Sequence, residues 1–336
     1  MIITRTPLRI TFTGGGSDLP SFFYKSEGHC INATIDKYVY VLVKKRFDNK
    51  IYLKYSENEV VDNIDDIKHD FIRETLKFMR VTGGIEIINW ADIPTKGTGL
   101  GSSSSFLVGL LNALHTLNGD TATKEQVAKE ACYIEVVKCE KPIGYQDQLA
   151  AAYGGVNQMV FKQDVKTGDQ RRTIRFKFAD HELQEISERL VLFYTGITRE
   201  SDTILSDQTK NMESSDKIFY AMQKNVELSK WFADRLMKKE FYAISEALEK
   251  NWELKKQFSS KITNKKIEQL YKLGLDNGAS AGKVLGAGGG GFIMFYIDPI
   301  IRHKLLNRLS EDYKHMPFTI DPYGSRVLLN TEGKIW

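Results

Sequence analysis

Apolar and polar residues alternate from Ile2 to Thr13, the period of a strand with one buried face. Similar strand patterns run through His29–Arg46, Lys50–Ser56 and Gly84–Trp90, and Trp90 reads as core more readily than as a ligand contact. Asp48-Asn49 reads as a hairpin turn joining His29–Arg46 to Lys50–Ser56. Between Asp66 and Arg80 the spacing is helical, with Ile67, Phe71, Leu76 and Met79 inward. It is helical again at Phe106, Leu107, Leu110, Leu111, Leu114 and Leu117. Thr123 to Gln126 is a capping box opening a helix to about Lys138. A short helix starts at Asp147 and stops at Gly154-Gly155. Strands follow at Val156–Lys162, Arg171–Phe178 and Arg189–Gly196. Ser201 to Leu275 is almost wholly helical in pattern, then Gly282–Asp298 returns to strand. Arg302–Lys314 reads as a helix and Gly324–Asn330 as the last strand.

Strands mixed with helices, then a helix-rich half, give an α+β class. The 336 residues suit two domains, which we place at 1–190 and 191–336. A net charge of +4 is too mild for a nucleic-acid or membrane footprint and fits an anionic small molecule. Three cysteines without a C-x-x-C pair point to buried thiols in a reducing cytoplasm and to no zinc site. The start of the chain has no signal-peptide pattern, and no apolar run is long enough to span a bilayer.

Three small-residue clusters carry the chemistry. In the stretch 94–105, Gly97, Gly99 and Gly101 alternate before Ser102 to Ser105, at the start of a helix. A helix N-terminus has unpaired N–H groups and partial positive charge, so it favours phosphate. Lys96 adds charge at the entrance. The order of residues is not that of a P-loop, because Lys96 precedes the glycines. Gly286, Gly288 and Gly291 match G-x-G-x-x-G within 283–292, but a strand pattern follows, which excludes the dinucleotide fingerprint. The cluster Pro7–Pro20 holds Arg9 and Asp18 beside Gly14, Gly15 and Gly16.

In their order along the chain, these clusters resemble the three motifs of the GHMP small-molecule kinases. The segment Ile143–Gly155 is similar to the one carrying the catalytic Asp in the family's sugar-kinase branch. The resemblance implies a two-domain fold, with a ribosomal-protein-like α+β N-terminal domain and a ferredoxin-like α+β C-terminal domain. It also implies ATP and Mg²⁺ as cofactors. Asp147 aligns with the catalytic Asp and Arg9 with the basic residue beside it. Ser103 and Glu135 align with the metal ligands. Lys96, Gly97, Gly99, Leu100, Gly101, Ser102, Ser103, Ser104, Gly288 and Gly289 fall in the nucleotide-binding motifs. Gly15, Gly16, Ser17 and Asp18, with Asp147, fall where the acceptor binds.

Galactokinase-type members show G-E-H-x-D, whereas this chain has Gly15 and Gly16 at the Glu and His positions. The stretches Arg5–Phe23, Asp147–Gly155 and Tyr194–Arg199 resemble the heptose 7-phosphate kinase branch instead. That branch phosphorylates the anomeric hydroxyl of a sugar phosphate for nucleotide-heptose synthesis. An acceptor with its own phosphate needs a second cationic site, for which Arg199, Lys37 and Lys283 are candidates. An L-fucose kinase type, a decarboxylase of the same scaffold and a non-catalytic sugar sensor are the rivals. The expected partner is a small-molecule sugar phosphate, with no nucleic acid and no membrane; monomer and homodimer both stay open.

Overall fold

The computed structural model describes residues 1–94, 97–164, 168–198 and 201–332. In chain order, β1 (Ile2–Thr13), α1 (Pro20–Phe23), β2 (Gly28–Lys45), β3 (Ile51–Lys54) and β4 (Asn58–Val61) come first. Next are α2 (Asp70–Phe78), β5 (Ile85–Ala91), α3 (Ser102–Leu117), α4 (Lys124–Cys132) and α5 (Gln146–Tyr153). Then come β6 (Val156–Asp164), β7 (Gly168–Arg175), α6 (Asp180–Glu188) and β8 (Leu190–Tyr194). The helical stretch is α7 (Ser201–Ser214), α8 (Asp216–Met237), α9 (Ala243–Lys255) and α10 (Lys265–Asp276). The chain closes with β9 (Ala281–Val284), β10 (Phe292–Tyr296), α11 (Arg302–Leu309), β11 (Lys314–Met316) and β12 (Arg326–Asn330).

Two sheets organise these elements. The larger has the order β12-β1-β2-β5-β3-β4, with β6 and β7 added beside β2; the smaller is β11-β8-β10-β9. The long β2 makes this branching possible: Gly28 to Ala33 pair with β6, and Val39 to Lys45 pair with β5. The two partners diverge around a bulge where Pro7 faces β2, since proline offers no N–H to the ladder.

Asp48-Asn49 does not close a hairpin. β5 inserts between β2 and β3, antiparallel to the first and parallel to the second. Its backbone takes the groups a hairpin would have used: Arg46 N donates to Gly84 O (2.8 Å) and Gly84 N to Asn49 O (2.9 Å). Burial of Ile85 and Ile87 beside Val43, Ile51 and Leu53 favours that insertion. Trp90 also departs from expectation. It faces outward from β5, 43% exposed, stacked parallel on its cross-strand neighbour Tyr40.

Helix α3 lies on β1 and β2, and this contact sets the position of its N-terminus. Thr4 Oγ1 donates to Gly109 O at 2.9 Å, and a Cβ on Gly109 would sit 2.8 Å from Thr6 Oγ1. Thr123 caps α4 by accepting from Gln126 N, and a π-helical turn, Tyr133–Lys138, extends that helix. On the other side α9 packs against both β1 and β9, and Phe232 of α8 meets Phe12 edge-on. These contacts tie the two sheets together, and β12 returns the chain to β1.

Candidate active site

Gly97, Gly99 and Gly101 all have left-handed φ (70°, 75° and 77°), which side chains disfavour. The alternation turns the backbone into a tight coil ending at Gly101, the N-cap of α3. No serine side chain caps the helix, so its first-turn N–H groups remain available for an anion. Leu100 is fully buried and its carbonyl accepts from Arg9 N at 2.9 Å, anchoring the coil to β1. Gly286 holds it from the far side, where a Cβ would lie 2.5 Å from Gly99 Cα. The two glycine-rich loops therefore touch backbone to backbone. Gly291 also meets this coil, at Thr98, whereas Gly288 packs on Ile262 and Gly289 N donates to Ile262 O.

Beside the coil, Arg9 and Asp147 form a bidentate pair, Nε to Oδ1 and Nη2 to Oδ2 both at 2.7 Å. Arg9 Nη1 donates to Gly99 O at 2.6 Å, so one guanidinium fixes the carboxylate and the glycine coil together. Asp147 sits in the first turn of α5 without capping it. Its side chain keeps 20% exposure, against 6% for Arg9, and so faces the cavity.

Asp18 lines the same cavity, accepting from Gly16 N (3.0 Å), Gln146 N (3.2 Å) and Gln146 Nε2 (3.1 Å). Burial, reinforced by the Asp147 charge, pushes its carboxyl above the usual range. Gly15 and Gly16 line the cavity with it. Ser17 does not; its hydroxyl is engaged with Gly14 O and the His29 backbone.

Glu135 projects from the π-helical turn and is 1% exposed. It accepts from Ser103 Oγ (3.0 Å), Ser104 Oγ (2.7 Å) and Gln148 Nε2 (2.7 Å). Burial pushes its carboxyl up to about 7, with the Asp147 charge adding to the rise. Ser103 is exposed, Ser105 donates to Pro7 O, and Ser102 Oγ lies 3.5 Å from Thr98 Oγ1. Among the described residues no group of three or more His, Cys, Asp or Glu side chains could hold a metal ion alone. The donor set is one carboxylate and one hydroxyl of hard oxygens, which suits Mg²⁺ completed by water and phosphate oxygens. A buried carboxylate also needs a cation to ionise readily, so the residues present fit that ion.

Of the three cations expected to receive a substrate phosphate, Lys283 lines the cavity. Lys37 does not: it pairs with Asp36 at 3.0 Å and borders a separate cavity with Asp92, Ile93 and Lys314. Arg199 and Lys96 lie outside the described residues. Sequence reasoning missed Gln146, Gln148, Asn251 and Lys255. The two glutamines flank Asp147, which was a usable signal; nothing marked Asn251 or Lys255.

The GHMP kinases N terminal domain matches residues 66–155 and the GHMP kinases C terminal domain matches 233–315. The chain is 32% identical to D-glycero-alpha-D-manno-heptose 7-phosphate kinase of Campylobacter jejuni, over 93% of this chain and 94% of that one. It is 23% identical to the bifunctional fucokinase/GDP-fucose pyrophosphorylase of Arabidopsis thaliana, over 96% of this chain and 32% of that longer one. Among solved structures, a D-glycero-D-manno-heptose 1-phosphate kinase from Bacteroides thetaiotaomicron superposes with a TM-score of 0.81. That match covers 98% of this chain and 99% of the other at 24% identity, a likeness of fold. Mevalonate kinase of Methanococcus jannaschii shares the fold too, with a TM-score of 0.70 at 20% identity over 95% and 98% of the two chains.

Proposed function

The chain belongs to the GHMP kinase family and is an ATP-dependent sugar kinase; on that premise we propose that its acceptor is the anomeric hydroxyl of D-glycero-D-manno-heptose 7-phosphate, giving the 1,7-bisphosphate. The observation that carries this reading is the Arg9–Asp147 pair, set beside the start of α3 and sharing one cavity with Asp18. Likeness to the Campylobacter jejuni enzyme over nearly its whole length supports the choice of sugar.

Phosphoryl transfer needs positioning and neutralisation of charge more than covalent help. The glycine coil and the N-terminus of α3 receive the phosphates of ATP. Ser103 and Glu135 would hold Mg²⁺, which supplies charge neutralisation on the phosphate oxygens. Asp147 orients the attacking hydroxyl and accepts its proton late in transfer. Arg9 fixes the carboxylate for that task, since both its oxygens are already held in one plane. Asp18, held by Gln146 and Gly16, accepts hydrogen bonds from sugar hydroxyls.

An ATP-consumption screen against heptose 7-phosphate, fucose, galactose, mannose and mevalonate tests the reading. Turnover with the heptose phosphate above all others is expected. Turnover with a non-phosphorylated sugar alone would overturn the choice of acceptor.

A further inference from the structure

Transfer of the phosphoryl group gives Arg9, Asp147, Glu135 and the glycine coil their tasks. It leaves two buried lysines of the same cavity without one. Lys283 of β9 is 3% exposed and Lys255, the last residue of α9, is 8% exposed; both line the cavity that holds Arg9, Asp18 and Asp147. They enter it from the wall formed by α9 and β9, whereas Asp147 enters from α5. Lys283 Nζ donates to Phe12 O at 2.9 Å and to Asn251 Oδ1. Lys255 Nζ donates to Val284 O at 2.9 Å and to Gly286 O at 2.5 Å.

The partners of Lys283 are a carbonyl and an amide. Among the described residues no carboxylate lies within ion-pairing distance of it. A buried ammonium without a counter-charge is unfavourable, and burial together with nearby Arg9 pushes this one down to about 7. A methionine would fill the same space without that penalty. The position therefore suits an anion brought into the cavity from outside. Three cations, Arg9, Lys255 and Lys283, and two carboxylates, Asp18 and Asp147, line the same space. Arg9 is already engaged by Asp147, so the positive charge without a carboxylate partner is that of Lys283.

We propose that Lys283, with Lys255 beside it, forms the subsite for the phosphate group that the acceptor sugar already carries. The inference rests on the acceptor being a sugar phosphate. A phosphate dianion there gives Lys283 its counter-charge and holds one end of the sugar while Asp147 holds the reacting hydroxyl. The enzyme then selects its acceptor by two ends, and discrimination against unphosphorylated sugars follows from an ammonium left without a partner.

The test uses Lys283→Met and, as a second and independent variant, Lys255→Met. The quantity read is the preference for heptose 7-phosphate over unphosphorylated heptose, as the ratio of kcat/KM values. The expected result is a fall of at least twentyfold in Lys283→Met, carried by the KM for the sugar phosphate, with the KM for ATP within threefold. Lys283→Arg restores most of the preference. Inorganic phosphate competes with the acceptor in the wild type, and its inhibition constant rises at least tenfold in both Met variants. Equal loss with both sugars would make Lys283 part of phosphoryl transfer and overturn the proposal. Unchanged phosphate inhibition in both Met variants would overturn it as well. If the wild type uses no sugar phosphate at all, the proposed acceptor falls and the subsite with it; if it does and both Met variants behave like the wild type, the subsite alone falls.

Discussion

Replacing Arg9 by Met removes the guanidinium and leaves most of the side-chain bulk. Three hydrogen bonds go with it, two to Asp147 at 2.7 Å and one to Gly99 O at 2.6 Å. Removing one partner of a fully buried ion pair costs about 3–5 kcal/mol, because the other charge is stranded. Asp147 keeps 20% exposure, so water restores part of its solvation and the expected loss is about 2–3 kcal/mol. Asp147→Asn removes the stranded charge, so adding it to Arg9→Met should do little further harm. The coupling energy of the two sites, from urea unfolding of the wild type, both single variants and the double variant, should reach about 2 kcal/mol. A coupling below about 0.5 kcal/mol, the value of an ordinary surface pair, would refute the reasoning. Turnover should behave in the same non-additive way, with the double variant no slower than the worse single one.

Three other substitutions probe separate parts of the site and scaffold. Glu135→Gln keeps the bonds available to Ser103, Ser104 and Gln148 but removes the charge; a hundredfold or greater drop in kcat with a weaker Mg²⁺ dependence is expected in steady-state assays at varied Mg²⁺. Gly99→Ala places a Cβ 2.7 Å from the backbone oxygen of Leu285 at a left-handed φ of 75°, so the KM for ATP should rise at least tenfold and the melting temperature should fall measurably. His115 pairs with Glu130 at 2.6 Å, a bond that raises its pKa with further help from Asp120. A raised folded-state pKa gives stability below the unfolded value that disappears as pH rises through the folded one. The wild type should therefore lose more stability than His115→Gln between pH 6 and pH 9 in urea unfolding, and equal losses would count against this assignment.

Local signals were the legible ones. The helix at Ser102–Leu117, the capping residue Thr123 and the glycine stop at Gly154 each depend on neighbours within a few residues, and each lies where the pattern puts it. The insertion of β5 between β2 and β3 depends on segments about forty residues apart, so the Asp48-Asn49 turn misled. Arg9 meets Asp147 across 138 positions, and only the resemblance to a family joined them in advance. Glu135 was legible in the same way, but its contact with Ser104 was not: nothing in a run of serines says which hydroxyl turns inward. Lys255 carries no local mark at all. Its role in the cavity follows from α9 packing on β9, a contact of tertiary origin.

The proposed reaction is phosphorylation of the anomeric hydroxyl of a sugar that already bears a phosphate. Phosphorus NMR of a reaction with ATP, Mg²⁺ and D-glycero-D-manno-heptose 7-phosphate tests it directly. A new signal coupled to the anomeric proton is expected, growing in step with ADP while the 7-phosphate signal persists. ADP formed with no anomeric phosphate, or no reaction with this sugar beside rapid reaction with an unphosphorylated one, would contradict it.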